Sequence, residues 1–331
     1  MSAPSIFRRR TAPFAAVVVG ISVLALTGCS GAASSDSTGE AADYGSLNIQ
    51  LSYLKNTEFA GEYYAVENGY FADAGFDDVT LTAGGSSAVS AEAAVTTGQA
   101  LIGISGSVAT ATAIEEGAAV KIIATEYQVN PFSIMSIGDD PIETPEDMIG
   151  KTIAVADYNS AVFSAYLEQV GISADEVTVV PFTGTDQLTT GQVDGYLGYT
   201  TAGTYILDSA GLDAVELKLA DSGMALVAES IVATDDAIQN QPDELEAALV
   251  AIIKGWKDAL ADPEGATSLT VDDYGKDNNY DYDQQLYAFN KQVSLIVTDE
   301  TTQNGLLTMS DDLQAAAVKT LVAVGIDITA D

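Results

Sequence analysis

The sequence predicts an α/β protein of two lobes with a ligand cleft between them, finished by a helical C-terminal segment. Three observations carry that expectation. From Leu47 the chain repeats a strand–loop–helix rhythm, and the rhythm starts afresh at ETPEDMIGKTIAV, residues 143–155. Past residue 235 the apolar positions recur at helical spacing instead. Alternating strands and helices argue for parallel strands joined by right-handed crossovers. In such sheets the loops at the carboxyl ends of the strands face the ligand.

A leader comes first. Arg8, Arg9 and Arg10 precede an apolar run over residues 14–26, shorter than the ~20 residues that span a bilayer core. Residues 1–28 therefore read as a removed secretory signal. The run ends in Leu26-Thr27-Gly28-Cys29, which holds the only cysteine of the 331 residues. This stretch resembles the bacterial lipobox, and the resemblance implies cleavage before Cys29 and a lipid on its thiol. Residues 29–45 then make a lipidated cysteine and a Ser/Gly/Ala-rich tether with too little to bury for a core.

Short apolar or β-branched runs predict strands over 47–54, 78–83, 101–105 and 120–127. Helices are expected over 58–68, 87–97 and 108–116, closed by Gly69, Gly98 and Gly117. A glycine just past a helix end takes up the left-handed cap without steric cost. At the restart, Thr144 suits an N-cap, Pro145 the first helical position and Asp147 the reciprocal acid of a capping box. Strands over 151–156, 176–182 and 193–199 and a helix over 161–170 complete a second lobe, and 225–234 reads as a return strand. In the helix expected over 242–261, Leu245, Leu249, Ile252, Trp256 and Leu260 fall on one stripe, which makes Trp256 a core residue. The implied division assigns 46–132 plus 226–331 to lobe I and 133–225 to lobe II.

Composition closes most catalytic routes. Without histidine there is no Ser-His-Asp triad, no Cys-His pair and no histidine metal site. All three arginines lie in the leader, so nine lysines face 48 acids once it is removed. Such a surface repels phosphate backbones, which argues against a nucleic-acid partner. No cofactor or metal is expected. In the acidic run DDYGKDNNYDYD, residues 272–283, a calcium loop starting at Asp277 would need Gly at its sixth position and Glu at its twelfth, where the chain has Tyr282 and Ala288, so the run reads as a solvated loop.

The stretch YLKNTEFAGEYYAVENGYFADAGF, residues 53–76, resembles the opening of ABC-transporter substrate-binding proteins of the group that takes up sulfonates, nitrate and thiamine-pyrimidine precursors. GGSSAVSAEAAVTTGQALIGISG, PEDMIGKTIAV and TTGQVDGYLGYTTAG continue the likeness, which spans residues 47–235. The resemblance implies a type II periplasmic-binding-protein clamshell: two lobes, a hinge and a solute between them. It also implies an ABC-transporter permease as partner, a monomeric state, and a place on the outer face of the cell membrane through the Cys29 lipid only. The superfamily includes a thiamine-pyrimidine synthase that consumes its own histidine, and this chain has none.

Candidate ligand contacts fall in the loops after the strands. Asn56 and Glu58 can hydrogen-bond a solute and Phe59 can cover its face; alternatively Asn56 caps a helix and Phe59 packs inside. Gly85 and Ser86, then Ser105 and Ser107, sit where helix starts would offer free N–H groups, or where turns need small residues. Tyr127 ends the fourth strand, Tyr158, Asn159 and Ser160 follow the first strand of lobe II, and Tyr199 ends another. Tyrosine offers a flat apolar face with a hydroxyl at its edge.

The expected function is a non-enzymatic, lipid-anchored solute-binding protein serving an ABC importer. With no arginine to grip an anion, the expected solute is a neutral heteroaromatic such as a thiamine-pyrimidine precursor. The alternatives are an anion (sulfonate, nitrate or bicarbonate) or a flavin. A secreted carboxylate-dependent hydrolase ranks below these.

Overall fold

The structure is a computed structural model that describes residues 42–85, 87–138 and 141–329. The leader, Cys29, nearly all of the tether and Ser86 lie outside the described residues.

Two five-stranded sheets organise the chain. The first runs β2-β1-β3-β10-β4, from β1 (Gly45–Gln50), β2 (Phe76–Thr82), β3 (Ile102–Ser105), β4 (Val120–Tyr127) and β10 (Ala228–Thr234). The second runs β7-β6-β8-β5-β9, from β5 (Phe132–Ile137), β6 (Thr152–Val155), β7 (Thr178–Pro181), β8 (Gly195–Tyr199) and β9 (Ala214–Lys218). The chain crosses between sheets twice, from β4 to β5 and from β9 to β10. Asn130 fastens the two crossings together. Its Nδ2 donates to the Met224 carbonyl at 3.0 Å while its Oδ1 accepts from the Phe132 N–H at 3.0 Å.

The sheets are mixed: the expected parallel strands are present, and one antiparallel strand is inserted in each sheet. β1 pairs parallel with β2 and β3, but β10 runs antiparallel between β3 and β4. In the second sheet β5 runs antiparallel between β8 and β9. Both inserted strands follow a crossing, so the chain enters each sheet from the opposite end. β5 and β9 themselves escape the sequence reading: FSIMSI follows a proline, and AVELK is short and half polar.

The punctuation was legible. Gly69, Gly98 and Gly117 stand at φ 72°, 69° and 97°, and Thr144 with Asp147 forms the reciprocal capping box around Pro145. The second expected helix starts later than its sequence suggested. It spans Ala91–Thr96, with the Ser90 hydroxyl accepting from the Ala93 N–H at 3.2 Å.

Each sheet has its own core. Leu47, Ile49, Tyr63, Ile102, Ile104 and Ile231 pack in the first with Trp256, Phe289 and Ile296 of the C-terminal helices. Ile134, Ile153, Phe163, Leu197 and Leu217 pack in the second, joined by Leu321 and Ile326 near the chain's end. The helices Ala60–Glu67 and Pro242–Ala261 touch backbone to backbone. A Cβ on Gly61 would lie 2.2 Å from Trp256 Cδ1, and one on Gly255 would lie 2.0 Å from the Gly61 carbonyl oxygen.

Candidate functional site

The loop leaving β1 builds one wall of the cleft. Asn56 caps the short turn Thr57–Phe59 by accepting from the Glu58 N–H at 2.9 Å, and its Nδ2 donates to Glu58 Oε2 at 3.1 Å. The turn is pinned from behind by the helix Tyr282–Ile296. Gln285 accepts from the Thr57 N–H at 3.2 Å, and Gln292 donates to the Thr57 carbonyl at 2.8 Å. This fixes the Glu58 carboxyl where Thr201, in the loop after β8, donates to its Oε1 at 3.2 Å. A glycine is needed beside this wall: a Cβ on Gly84 would lie 2.3 Å from the Leu51 carbonyl oxygen.

A second carboxyl faces the same space. Glu229, at the start of β10 where the chain re-enters the first sheet, is 4 % exposed and accepts from Ser52 Oγ at 2.7 Å. Its backbone stands at φ 44°, in the left-handed region that a residue with a Cβ rarely takes. Such strain persists where the surroundings enforce it, commonly at ligand clamps and switch points. Burial pushes the Glu229 carboxyl up to about 8, and the neighbouring Glu58 adds to the rise. Burial likewise raises Glu58, against the hydrogen bonds from Asn56 and Thr201.

Tyrosines surround this pair. Burial holds the Tyr199 hydroxyl well above its ordinary value, helped by the charges of Glu229 and Glu58 and by Tyr158. Burial also raises Tyr53, with Tyr158 and Glu58 contributing. It pushes Tyr280 up to about 12, again with Tyr53 and Glu58 nearby. The Tyr280 hydroxyl is buried beside Asn278 without a well-formed hydrogen bond. Tyr158 is 83 % exposed and Tyr53 51 %, a large apolar surface left to solvent at the cleft rim. Among the described residues no lysine acts on any of these groups. Lys55 turns its ammonium over the Tyr274 ring, 5.8 Å from the centroid.

Further contacts bridge the lobes. Lys291 pairs with Glu216 of β9 at 3.1 Å, and Thr200 donates to the same carboxylate. Thr204 and Tyr287 share a hydrogen bond of 3.0 Å, and Tyr205 donates to Asp281 at 3.1 Å. A cavity of about 970 Å³ opens elsewhere, lined by Ser46, Asn48, Leu101 and Thr234 at the amino ends of the parallel strands. It lies away from the carboxyl-end loops that carry the site chemistry.

The sequence-predicted contacts divide. Asn56, Glu58 and Tyr199 come together, and Tyr158 stands at their rim. Asn159 and Ser160 follow Tyr158 at the start of the helix Ser160–Gln169, half-buried and exposed respectively. Phe59 takes the inward alternative: it is fully buried in the first core. Tyr127 is also a core ring, its hydroxyl committed to Gln292 Oε1 at 2.8 Å. Gly85, at φ 113°, belongs to a turn and not to a helix start, since the helix begins at Ala91. Ser105 lies buried at the end of β3 opposite Ser230. Ser107 does begin a helix, but its N–H already donates to the Val227 carbonyl at 3.2 Å.

Ser52, Tyr53, Thr201, Glu229 and Tyr280 were missed. Glu229 carried a readable signal, a lone carboxylate in the apolar run MALVAESIVAT. The assembly offers flat faces, buried acceptors and hydroxyl donors, a chemistry suited to holding a small polar ring.

The sequence model described as NMT1/THI5 like matches residues 56–266. The riboflavin-binding protein RibY of Chloroflexus aurantiacus is 28 % identical over 232 residues, 68 % of this chain and 65 % of that protein. The match thus spans just under two thirds of that relative's length. The periplasmic aliphatic sulphonate binding protein SsuA from Escherichia coli superimposes with a TM-score of 0.63 at 13 % identity, covering 86 % of this chain and 94 % of that one. The desulfurization enzyme DszB superimposes with a TM-score of 0.53 at 14 % identity, covering 84 % and 91 %. At such identities the two structures speak for the fold alone. That fold is the two-lobe clamshell of the type II periplasmic binding proteins, and it hosts binding proteins and at least one enzyme.

Proposed function

Because the chain belongs to the NMT1/THI5-like family, we propose that it is the solute-binding component of an ABC importer, without catalysis, and that its solute is a neutral or weakly cationic nitrogen heterocycle. One observation carries the reading. The cleft gathers Glu58, Glu229 and four tyrosines, and among the described residues no cation acts on them. A sulfonate or nitrate entering there would face two acids and no guanidinium fork. A planar ring can instead lie on a tyrosine face and offer N–H groups to the acids.

Between rings, the riboflavin-binding relative favours an isoalloxazine over the thiamine-pyrimidine precursor that the motif resemblance puts first. Cys29 would hold the protein at the outer face of the membrane. Among the described residues no helix is long and apolar enough to cross a membrane.

A thermal-shift and calorimetry panel tests the solute. Riboflavin, thiamine and 4-aminopyrimidines are expected to stabilise the protein, by ~2.7 kcal/mol at a hundredfold excess over Kd. Taurine, alkanesulfonates and nitrate are expected to do nothing. Tight binding of a sulfonate with no response to any ring would overturn the reading. For the anchor, fatty-acid labelling should mark the wild type and not Cys29→Ser; equal label on both would remove the lipid.

A further inference from the structure

We propose that Glu229 determines specificity in the cleft as a neutral carboxylic acid, reading a ligand edge that places a hydrogen-bond donor beside an acceptor. The inference rests on the ring-binding function proposed above and names the chemistry of that site.

The geometry makes Glu229 the group to ask about. It is 4 % exposed, its backbone is left-handed, and it stands at the second crossing between the sheets. Its register falls between the Ala228–Tyr127 and Ser230–Thr125 pairs of β10 and β4, which places it across from Glu126. Like charges directly opposite in a sheet repel.

Every charged neighbour that acts on it has the same sign. Glu58 comes from the loop after β1, Glu62 from the helix Ala60–Glu67 and Glu126 from β4. Tyr127 and Tyr199 add hydroxyls, and Ser52 donates to Oε2. On the other elements packed against β10, Glu92 is occupied by Thr110 at 2.8 Å. Lys121 is exposed beside Ala233, at the far end of the strand pair. Among the described residues nothing cationic compensates an ionised Glu229, and burial with like charge raises it to about 8. At neutral pH it therefore carries a proton.

A protonated carboxyl has one O–H donor and one C=O acceptor side by side. Its complement is an edge with an acceptor beside an N–H. The lactam edge of an isoalloxazine has this pattern, and so does the ring nitrogen with its amino group in a 4-aminopyrimidine. An ionised carboxylate would turn a second acceptor toward the ligand's acceptor and lose that match. A sulfonate offers acceptors only and cannot use the C=O side.

The test is a pH series of Kd, by calorimetry at pH 6, 7, 8 and 9, with riboflavin, N3-methylriboflavin and a 4-aminopyrimidine. Wild type, Glu229→Gln and Glu229→Ala are compared, each checked for a cooperative melt. For the ring that binds, the wild-type Kd should rise about tenfold from pH 6 to 9 as the binding-competent fraction falls. Glu229→Gln cannot ionise, so its profile should be flat apart from titration of the ligand itself. Glu229→Ala should bind at least tenfold more weakly at pH 6. If riboflavin is the ligand, its N3-methyl analogue should lose at least tenfold. An infrared difference spectrum, wild-type complex minus Glu229→Gln complex, that shows one protonated-carboxyl band beyond those of Glu62 and Glu126 would support the proposal without reference to affinity.

A ring that binds the wild type with a flat profile, or a fall that persists in Glu229→Gln, would sink the role of Glu229 and leave the function standing. No binding of any ring would sink both.

Discussion

Ser52 Oγ donates a 2.7 Å hydrogen bond to Oε2 of Glu229, 177 positions later in the chain. The loop that leaves β1 and the residue that opens β10 thus form one wall of the cleft. Neither belongs to a recognisable motif, yet their meeting fixes the carboxyl on which the site's electrostatics turn.

Tyr158 and Tyr199 approach the carboxyl pair from the second lobe, one at the exposed rim and one half-buried against Phe132 at 4.8 Å between ring centroids. Replacing either by alanine should weaken a ring ligand by about 1 kcal/mol, the scale of an aromatic pair. Titration calorimetry reads this directly. Unchanged affinity in both variants would mean that the ligand does not stack there.

The pair between Lys291 and Glu216 joins the lobes with Lys291 one-third exposed. An ion pair of that exposure contributes on the order of 0.2–1 kcal/mol and weakens with salt. Lys291→Met, or 1 M salt with the wild type, should shift the lobes apart. Small-angle scattering should then report a larger radius of gyration, reversed by saturating ligand. If ligand leaves the scattering curve unchanged, hinge closure is not the mechanism.

Glu62 and Glu126 sit fully buried, and none of their four oxygens makes a well-formed hydrogen bond. Burial raises both, Glu126 well above the ordinary carboxyl range with the charge of Glu62 adding to it. The unfolded chain ionises near the usual value, so the folded protein binds extra protons above it. Stability is therefore full at low pH and is lost as pH rises through the raised folded values, with Glu229 titrating near 8. The melting temperature should fall from pH 5 to pH 9. Glu126→Gln should flatten that fall and stabilise the protein at pH 9 by about 1 kcal/mol or more. A melting temperature independent of pH would show that these acids are ionised and solvated.

The crossing at Gly61 and Gly255 leaves no room for a methyl group on either residue. Gly61→Ala must displace Trp256, a fully buried indole, and should cost about 1–3 kcal/mol as overpacking does. Urea denaturation gives the value. A wild-type midpoint in Gly61→Ala would mean that the two helices stand further apart than described.

How much of this was legible follows from which residues answer to local rules. Helix ends were readable because Gly69, Gly98, Gly117 and the Thr144–Asp147 box act within a turn of themselves. β5 and β9 were not, since partners far along the chain stabilise them and their own residues barely alternate. At the candidate site, the placing of Asn56 and Glu58 together follows from their being polar residues after a strand. Phe59 and Tyr127 pack in the core, which the sequence leaves open because an aromatic next to a cleft loop looks the same whether it faces inward or outward. Glu229 was visible as a carboxylate in a buried strand, but the left-handed turn that presents it depends on tertiary contacts.

The first core stays incomplete until Trp256, Phe289 and Ile296 arrive, long after β1 to β4 have been synthesised. A chain emerging from its N-terminus thus carries an unsealed hydrophobic surface until residue 296 is made. The early strands have no finished nucleus in which to lock before then. The same order makes the nascent chain vulnerable: a stall before residue 256 would leave Tyr63, Ile102 and Ile104 without their cover, a substrate for chaperones and proteases rather than for a ligand.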